Sequence, residues 1–282
     1  MGIHSVITFR CPDGPGIVHA ISGAIVAVHG NITASQQYSS PDTGTFFMRV
    51  QVESESGPDG LRAALAPVCA RFYGHLAIDT VGRPTRTLVL VSTAPHVLNA
   101  LLAGQRSGAV PIEVPLVLGN HDDLADMAAF YGVGFEHLPT PDAAGKAAFE
   151  TRVRAAIEEH DIELVVLARY MQIVSPQLCD DLAGSMINIH HSFLPGFKGA
   201  NPYRQAHERG VKLIGATAHF VTPDLDEGPI IEQSVARVNH AKSIEELREI
   251  GADIESVTLT HAVKLFAEHR ILLDGVRTVI FD

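Results

Sequence analysis

Met186-Ile187-Asn188-Ile189-His190-His191-Ser192-Phe193-Leu194-Pro195 is the stretch on which the fold reading turns. Small apolar residues lead into Asn188, and the two-residue period of a strand puts Asn188 and His190 on one side and His191 on the other. Pro195 and Gly196 then interrupt the pattern, which predicts a buried strand ending close to these polar side chains. In open α/β sheets ligands gather at such strand ends. A later loop, Asp224-Leu225-Asp226-Glu227-Gly228, can return a carboxylate to the same place. An amide, an imidazole and a carboxylate together form a general acid–base set with an oxyanion stabiliser. The same residues also suit a plain hydrogen-bonded strand end with Asp226 turning a loop, and spacing does not choose between the two.

Outward from this stretch, strands and helices alternate. The polar joint Gly82-Arg83-Pro84-Thr85-Arg86 sets a boundary, with residues 1–82 as one domain, 83–86 as linker and 87–282 as the second domain. In the second domain strands are predicted at residues 87–92, 114–119, 135–138, 164–167 and 186–190. Helices are predicted from Ala94, from Asp122 and over residues 142–160. Continuous apolar runs joined by crossover helices predict a parallel sheet covered on both faces, of Rossmann-like type. Residues 212–220 and 230–238 read as late, antiparallel additions, and Ser243-Ile244-Glu245-Glu246 opens a closing helix with a capping box.

The leading domain reads as βαββαβ, a ferredoxin-like order. A strand over residues 5–9 meets the turn Cys11-Pro12-Asp13-Gly14-Pro15-Gly16, and Ile17, Ile21, Ile25 and Val28 then mark one face of a helix. His29-Gly30-Asn31 ends it, with Gly30 as the expected left-handed residue. Strands over 32–38 and 45–52 flank Pro41-Asp42-Thr43-Gly44. Leu61, Leu65 and Val68 mark a second helix, and residues 74–81 a last strand.

Composition narrows the function classes. A net charge of -11 disfavours nucleic acid as a partner. No apolar run is long enough to span a bilayer, and Met1-Gly2-Ile3-His4 does not open a signal peptide, so no membrane association is expected. Cys11, Cys69 and Cys179 lack metal-ligand spacing and read as reduced thiols of a cytoplasmic protein. His121 with Asp122 and Asp123 lacks a full ligand set, which favours helix capping over metal binding.

Residues 188–195, with Gly215-Ala216-Thr217-Ala218-His219-Phe220-Val221 and Asp226-Glu227-Gly228-Pro229-Ile230-Ile231, resemble the formyltransferase family, which uses 10-formyltetrahydrofolate. The resemblance covers roughly the last 200 residues, one domain. Residues 12–18 with Asn31 resemble the ACT domain, a regulatory module that often binds an amino acid. That resemblance implies effector contacts at Gly14, Gly16 and Asn31, where backbone donors at a helix start suit a carboxylate. A plain tight turn in a dimerisation module accounts for the same residues. Because such a sheet edge often pairs with a copy of itself, a homo-oligomer is expected.

Family members that formylate a phosphorylated glycinamide carry a glycine-rich loop at the first strand–helix turn. Here Ser92-Thr93-Ala94-Pro95-His96-Val97-Leu98 stands instead, without those glycines or a nearby lysine, so the phosphate cradle is lost. With Gly119-Asn120-His121-Asp122 and the ACT-like unit, the chain resembles the deformylase branch of the family. That branch hydrolyses 10-formyltetrahydrofolate to formate and tetrahydrofolate, a reaction of one-carbon metabolism linked to purine biosynthesis. A tRNA-directed member would need an RNA-binding domain and a more basic surface.

The expected catalytic set is Asn188 and His190 as donors to the formyl oxygen, with Asp226 orienting His190 and helping to take a proton from water. By resemblance the pterin slot lies between Tyr170-Met171-Gln172-Ile173-Val174 and Val221-Thr222-Pro223-Asp224. His219 is expected either to support the Asp226 loop or to be a satisfied core residue, and His121 to help place the water. His191 is expected to pack on the far side of the strand. The folate is substrate, so no cofactor and no metal are expected. Two other functions remain open at this point: formyl transfer to a non-phosphorylated amine, and a folate or amino-acid sensor without turnover.

Overall fold

Ile17, Ile21, Ile25, Leu61 and Leu65 recur at helical spacing, and all five are buried against Ile7, Phe9, Met48 and Val50 of a sheet. The elements follow the expected order: β1 (Ile3–Pro12), α1 (Ile17–Ala27), β2 (Asn31–Ser40), β3 (Thr45–Ser54), α2 (Gly57–Phe72) and β4 (His75–Thr80). The sheet order is β2-β3-β1-β4, antiparallel throughout. The computed structural model describes residues 2–196 and 202–282, in two compact units: Met1–Arg83 with Glu268–Asp282, and Pro84–Ala267.

Gly30 does not have the left-handed backbone expected of it; His29 does, at φ 57°. What Gly30 supplies is room, because a Cβ there would stand 2.7 Å from the Ile25 side chain and 3.0 Å from that of Val52. Gly16, at φ 88°, does occupy the left-handed region just ahead of α1. Gly14 is half-buried, and Asn31, at the start of β2, is exposed.

The larger unit runs β5 (Thr85–Val91), α3 (His96–Ser107), β6 (Ile112–Gly119), α4 (Ala125–Phe130), β7 (Gly134–His137), α5 (Ala143–Glu159), β8 (Leu164–Ala168), α6 (Pro176–Asp181), β9 (Met186–His190), α7 (Pro202–Glu208), β10 (Leu213–Phe220), β11 (Ile230–Arg237) and α8 (Ile244–Ala267). Its sheet order is β11-β10-β9-β8-β5-β6-β7. Strands β5 to β9 are parallel and β10 and β11 antiparallel, as the apolar runs imply. Asp142 caps α5 by accepting from the Gly145 N–H at 2.8 Å. The capping box at α8 closes reciprocally: Ser243 N–H donates to Glu246 at 2.8 Å and Glu246 N–H to Ser243 Oγ at 3.2 Å. Helices α3 and α4 begin later than predicted, at His96 and Ala125. The short helices α6 and α7 carry too few apolar positions for periodicity to reveal them.

Residues 268–282, expected with the second domain, belong to the first unit. They form the hairpin β12 (Ile271–Asp274) and β13 (Arg277–Ile280). Leu272 and Phe281 pack on Phe47, and Asp274 accepts from Ser40 Oγ at 2.7 Å and Thr43 Oγ1 at 2.5 Å. Buried Arg49 donates to the carbonyls of Glu268 at 2.9 Å and His269 at 3.1 Å. Thr85 and Arg86, expected in the linker, are the first residues of β5. Among the described residues no helix is long and apolar enough to cross a membrane.

Candidate active site

Asn188 lies directly across from His219 in the β9–β10 pairing, with Asn188 Nδ2 3.3 Å from His219 Nε2. On its other side, His219 Nδ1 is 2.9 Å from the Phe220 carbonyl, which can only accept. The His219 proton is therefore on Nδ1, and Nε2 accepts from the Asn188 amide. Burial pushes the His219 pKa down, consistent with this neutral form.

His190 Nδ1 is 3.2 Å from Asp226 Oδ2, and Asp226 Oδ1 is 3.8 Å from His219 Nε2. The hydrogen bond from His190 holds the Asp226 carboxyl below its ordinary range; burial opposes this, and the neighbouring imidazoles assist. His190 Nε2 is buried and has no hydrogen-bond partner among the described residues, so one ring nitrogen of the His190–Asp226 pair is left to meet a ligand.

Two backbone features aim Asp226. Its own φ is 58°, a left-handed conformation that Asp tolerates better than most residues. Two residues on, a Cβ at Gly228 would fall 1.7 Å from the Phe220 carbonyl oxygen, so only glycine lets the loop lie against the end of β10. The segment after β9 is fixed by Thr217. Its Oγ1 donates to the Ser192 carbonyl at 3.0 Å and accepts from Leu194 N–H at 3.0 Å and from Gln233 Nε2 at 3.0 Å.

These side chains line a cavity of about 770 Å³. Residues 170–174 form one wall and Val221, Thr222 and Pro223 another; Asp224 is exposed and does not line it. Met171 and Ile173 expose apolar surface there, which suits a flat heteroaromatic ligand. The first wall is tied to the sheet: Met171 N–H donates to Ser92 Oγ at 3.0 Å, and Ser92 donates to Asn120 Oδ1 at 2.7 Å. The Tyr170 ring stacks on Phe149 with centroids 5.1 Å apart.

Two expectations need correction. His121 is exposed and outside the cavity wall, and it does not cap α4, which starts at Ala125. His191 does not face away from the site. Strand β9 ends at His190, so alternation stops there, and the two rings stack with centroids 5.0 Å apart at 23°. His191 Nδ1 is 2.6 Å from Arg169 Nη1; a guanidinium only donates, so this nitrogen accepts and the ring is neutral. Burial, then the charges of Arg169 and His190, push its pKa from 6.5 to about 4.

Sequence reasoning missed Arg169, Tyr203 and Glu255. The Glu255 side chain is 2% exposed, yet it lies on the cavity wall. It accepts from His96 Nε2 at 2.8 Å and Tyr203 OH at 2.7 Å, with Arg169 Nε at 3.4 Å. Burial pushes its pKa up, but the His96 hydrogen bond, the Arg169 charge and the Tyr203 hydroxyl outweigh burial and hold it low. One signal was available: Glu255 interrupts the buried stripe of Gly251, Ile254, Thr258 and Leu259 on α8. Among the described residues no group of three His, Cys, Asp or Glu side chains is placed to hold a metal ion.

Residues 85–263 match the formyl transferase family and residues 5–70 the ACT domain. A formyltetrahydrofolate deformylase of Corynebacterium sp. (strain P-1) is 44% identical over 282 residues, covering 99% of this chain and 98% of the relative. The crystal structure of a formyltetrahydrofolate deformylase from Burkholderia mallei ATCC 23344 superposes with a TM-score of 0.95 at 43% identity, covering 99% of this chain and all of that one. Glycinamide ribonucleotide transformylase 1 from Symbiobacterium toebii, at TM-score 0.67 and 34% identity, covers 72% of this chain and 97% of its own. The deformylases match over nearly the whole of this chain, including residues 5–70, whereas the transformylase covers 72% of it. The chain belongs to the formyl transferase family and, within it, to the formyltetrahydrofolate deformylases.

Proposed function

We propose that this protein hydrolyses 10-formyltetrahydrofolate to formate and tetrahydrofolate. The observation that carries the reading is the convergence of Asn188, His190 and Asp226 on one cavity with an apolar slot beside them. Water adds to the formyl carbon, and the carbonyl electron pair moves onto oxygen. The Asn188 amide and the unpartnered His190 nitrogen are suited to meet that developing charge. Asp226, kept ionised beside His190, takes up the water proton directly or stabilises the imidazolium that does so. Collapse of the tetrahedral adduct returns a proton to N10, which departs as the amine and leaves formate.

The deciding assay supplies 10-formyltetrahydrofolate with no added amine and follows formate. Release at enzymatic rates supports hydrolysis; release that depends on an added amine overturns it in favour of transfer.

The same reading makes the folate a substrate rather than a cofactor and places the enzyme in the cytoplasm, with formate feeding purine biosynthesis. For the ACT domain we propose an amino-acid effector held near Gly14, Gly16 and Asn31, and self-association through its sheet edge. Calorimetric titration with glycine and with methionine, and light scattering, test these two points.

A further inference from the structure

One run of hydrogen bonds crosses the carboxyl ends of four neighbouring strands. Met171 N–H, three residues after β8, donates to Ser92 Oγ at 3.0 Å. Ser92 follows directly on β5 and donates to Asn120 Oδ1 at 2.7 Å. Asn120 follows directly on β6, and its Nδ2 donates at 3.2 Å to Thr140 Oγ1, three residues after β7. The sheet places these strands side by side in the same order, β8-β5-β6-β7. Ser92 and Asn120 are both buried. The backbone fixes the middle of the run. Asn120 N–H donates to the Val91 carbonyl at 3.3 Å, and a Cβ at Gly119 would fall 2.5 Å from the His121 carbonyl oxygen and 2.6 Å from the Phe135 ring.

The run ends on the apolar wall of the cavity, residues 170–174. The chain leaves β8 through Arg169 at φ 61°, a conformation that a residue with a Cβ disfavours, so the wall needs anchors beyond that turn. The Tyr170 ring stacks on Phe149, and Ser175 at the far end donates its N–H to Glu150 at 2.8 Å. Between them, among the described residues, the bond from Met171 to Ser92 is the one hydrogen bond that residues 170–174 make. We infer that Ser92 and Asn120 are positioning residues for the folate: they set where the first wall of the slot stands, and so how tightly the pterin is held. The inference rests on the folate reading and deepens it. The wall grips the pterin alike before and during the chemistry, so loosening it raises KM and leaves kcat nearly unchanged.

The test follows formate release from 10-formyltetrahydrofolate by Ser92→Ala and Asn120→Ala, beside calorimetric titration with tetrahydrofolate, which needs no turnover. KM and the tetrahydrofolate Kd should each rise at least about 10-fold, the scale of one lost buried hydrogen bond, while kcat stays within about 3-fold of wild type. Ser243→Ala, which weakens a helix cap outside the cavity wall, is the control for stability alone and should leave KM and Kd as they are. Unchanged KM and Kd in both relay variants overturn the inference. So does a fall in kcat as large as the rise in KM, or an equal rise in KM for Ser243→Ala. If neither buried variant folds, Thr140→Val at the half-buried end of the run decides: a rise in Kd of at least about 3-fold supports the inference, and an unchanged Kd overturns it. Wild type that binds tetrahydrofolate but releases no formate without amine would sink the hydrolytic reading alone.

Discussion

Two imidazoles meet one carboxylate at the end of β9 and a third stacks beside them, and each ring is held differently. His219 keeps its proton on Nδ1 for the Phe220 carbonyl, and His191 presents a lone pair to Arg169. His190 is the ring set against Asp226 at 3.2 Å. These are the groups set around the formyl carbon in the proposed reaction, and Asn188→Ala, His190→Ala and Asp226→Asn should each lower formate release by at least about 100-fold. Steady-state assays on purified variants check this, and near-normal turnover in any one removes that residue from the mechanism. His191 gives a different readout. The unfolded chain protonates this side chain near 6.5 and the folded one only near 4. Between those values the unfolded state binds more protons, so stability rises with pH across the window and is lost as pH falls through it. His191→Gln should flatten the melting temperature against pH over that range. His219, also depressed by burial, retains part of the slope.

At the scale of elements, the active side chains depend on how strands end. A Cβ at Gly228 cannot coexist with the Phe220 carbonyl, so Gly228→Ala must push the Asp226 loop off β10. A displacement of about 1 Å can cost on the order of 10²-fold in rate. The variant should lose turnover on that scale while circular dichroism stays close to wild type. Ser243→Ala removes one half of the α8 capping box and should cost about 1 kcal/mol in denaturant unfolding. Asn188 and His190 were legible in the sequence because a two-residue period puts them on one side whatever the strand packs against. His191 was not, because that rule lapses where the strand stops, and an identical residue type gives no mark of the stop. Glu255 and Arg169 lie 86 residues apart, and nothing local in either neighbourhood announces the other. The βαββαβ order was readable throughout, since each element there carries its own apolar face. Helices α6 and α7 were not, because their positions depend on tertiary contacts more than on pattern.

At the scale of the molecule, the first unit needs the last residues of the chain. A form ending at Ala267 loses the carbonyls that hold buried Arg49, the Asp274 carboxylate that Ser40 and Thr43 bond to, and the cover over Phe47. Leaving a buried guanidinium without acceptors is costly. Limited proteolysis of that form should cut within the leading unit far faster than in the full chain, with residues 84–267 cut at the same rate in both. Both segments of this unit flank the larger one in sequence, Met1–Arg83 before it and Glu268–Asp282 after it. During synthesis the ribosome therefore delivers the catalytic half whole while its neighbour still lacks a hairpin. The half begun first is completed after its neighbour, so a nascent chain can assemble its chemistry before the leading unit has gained its hairpin.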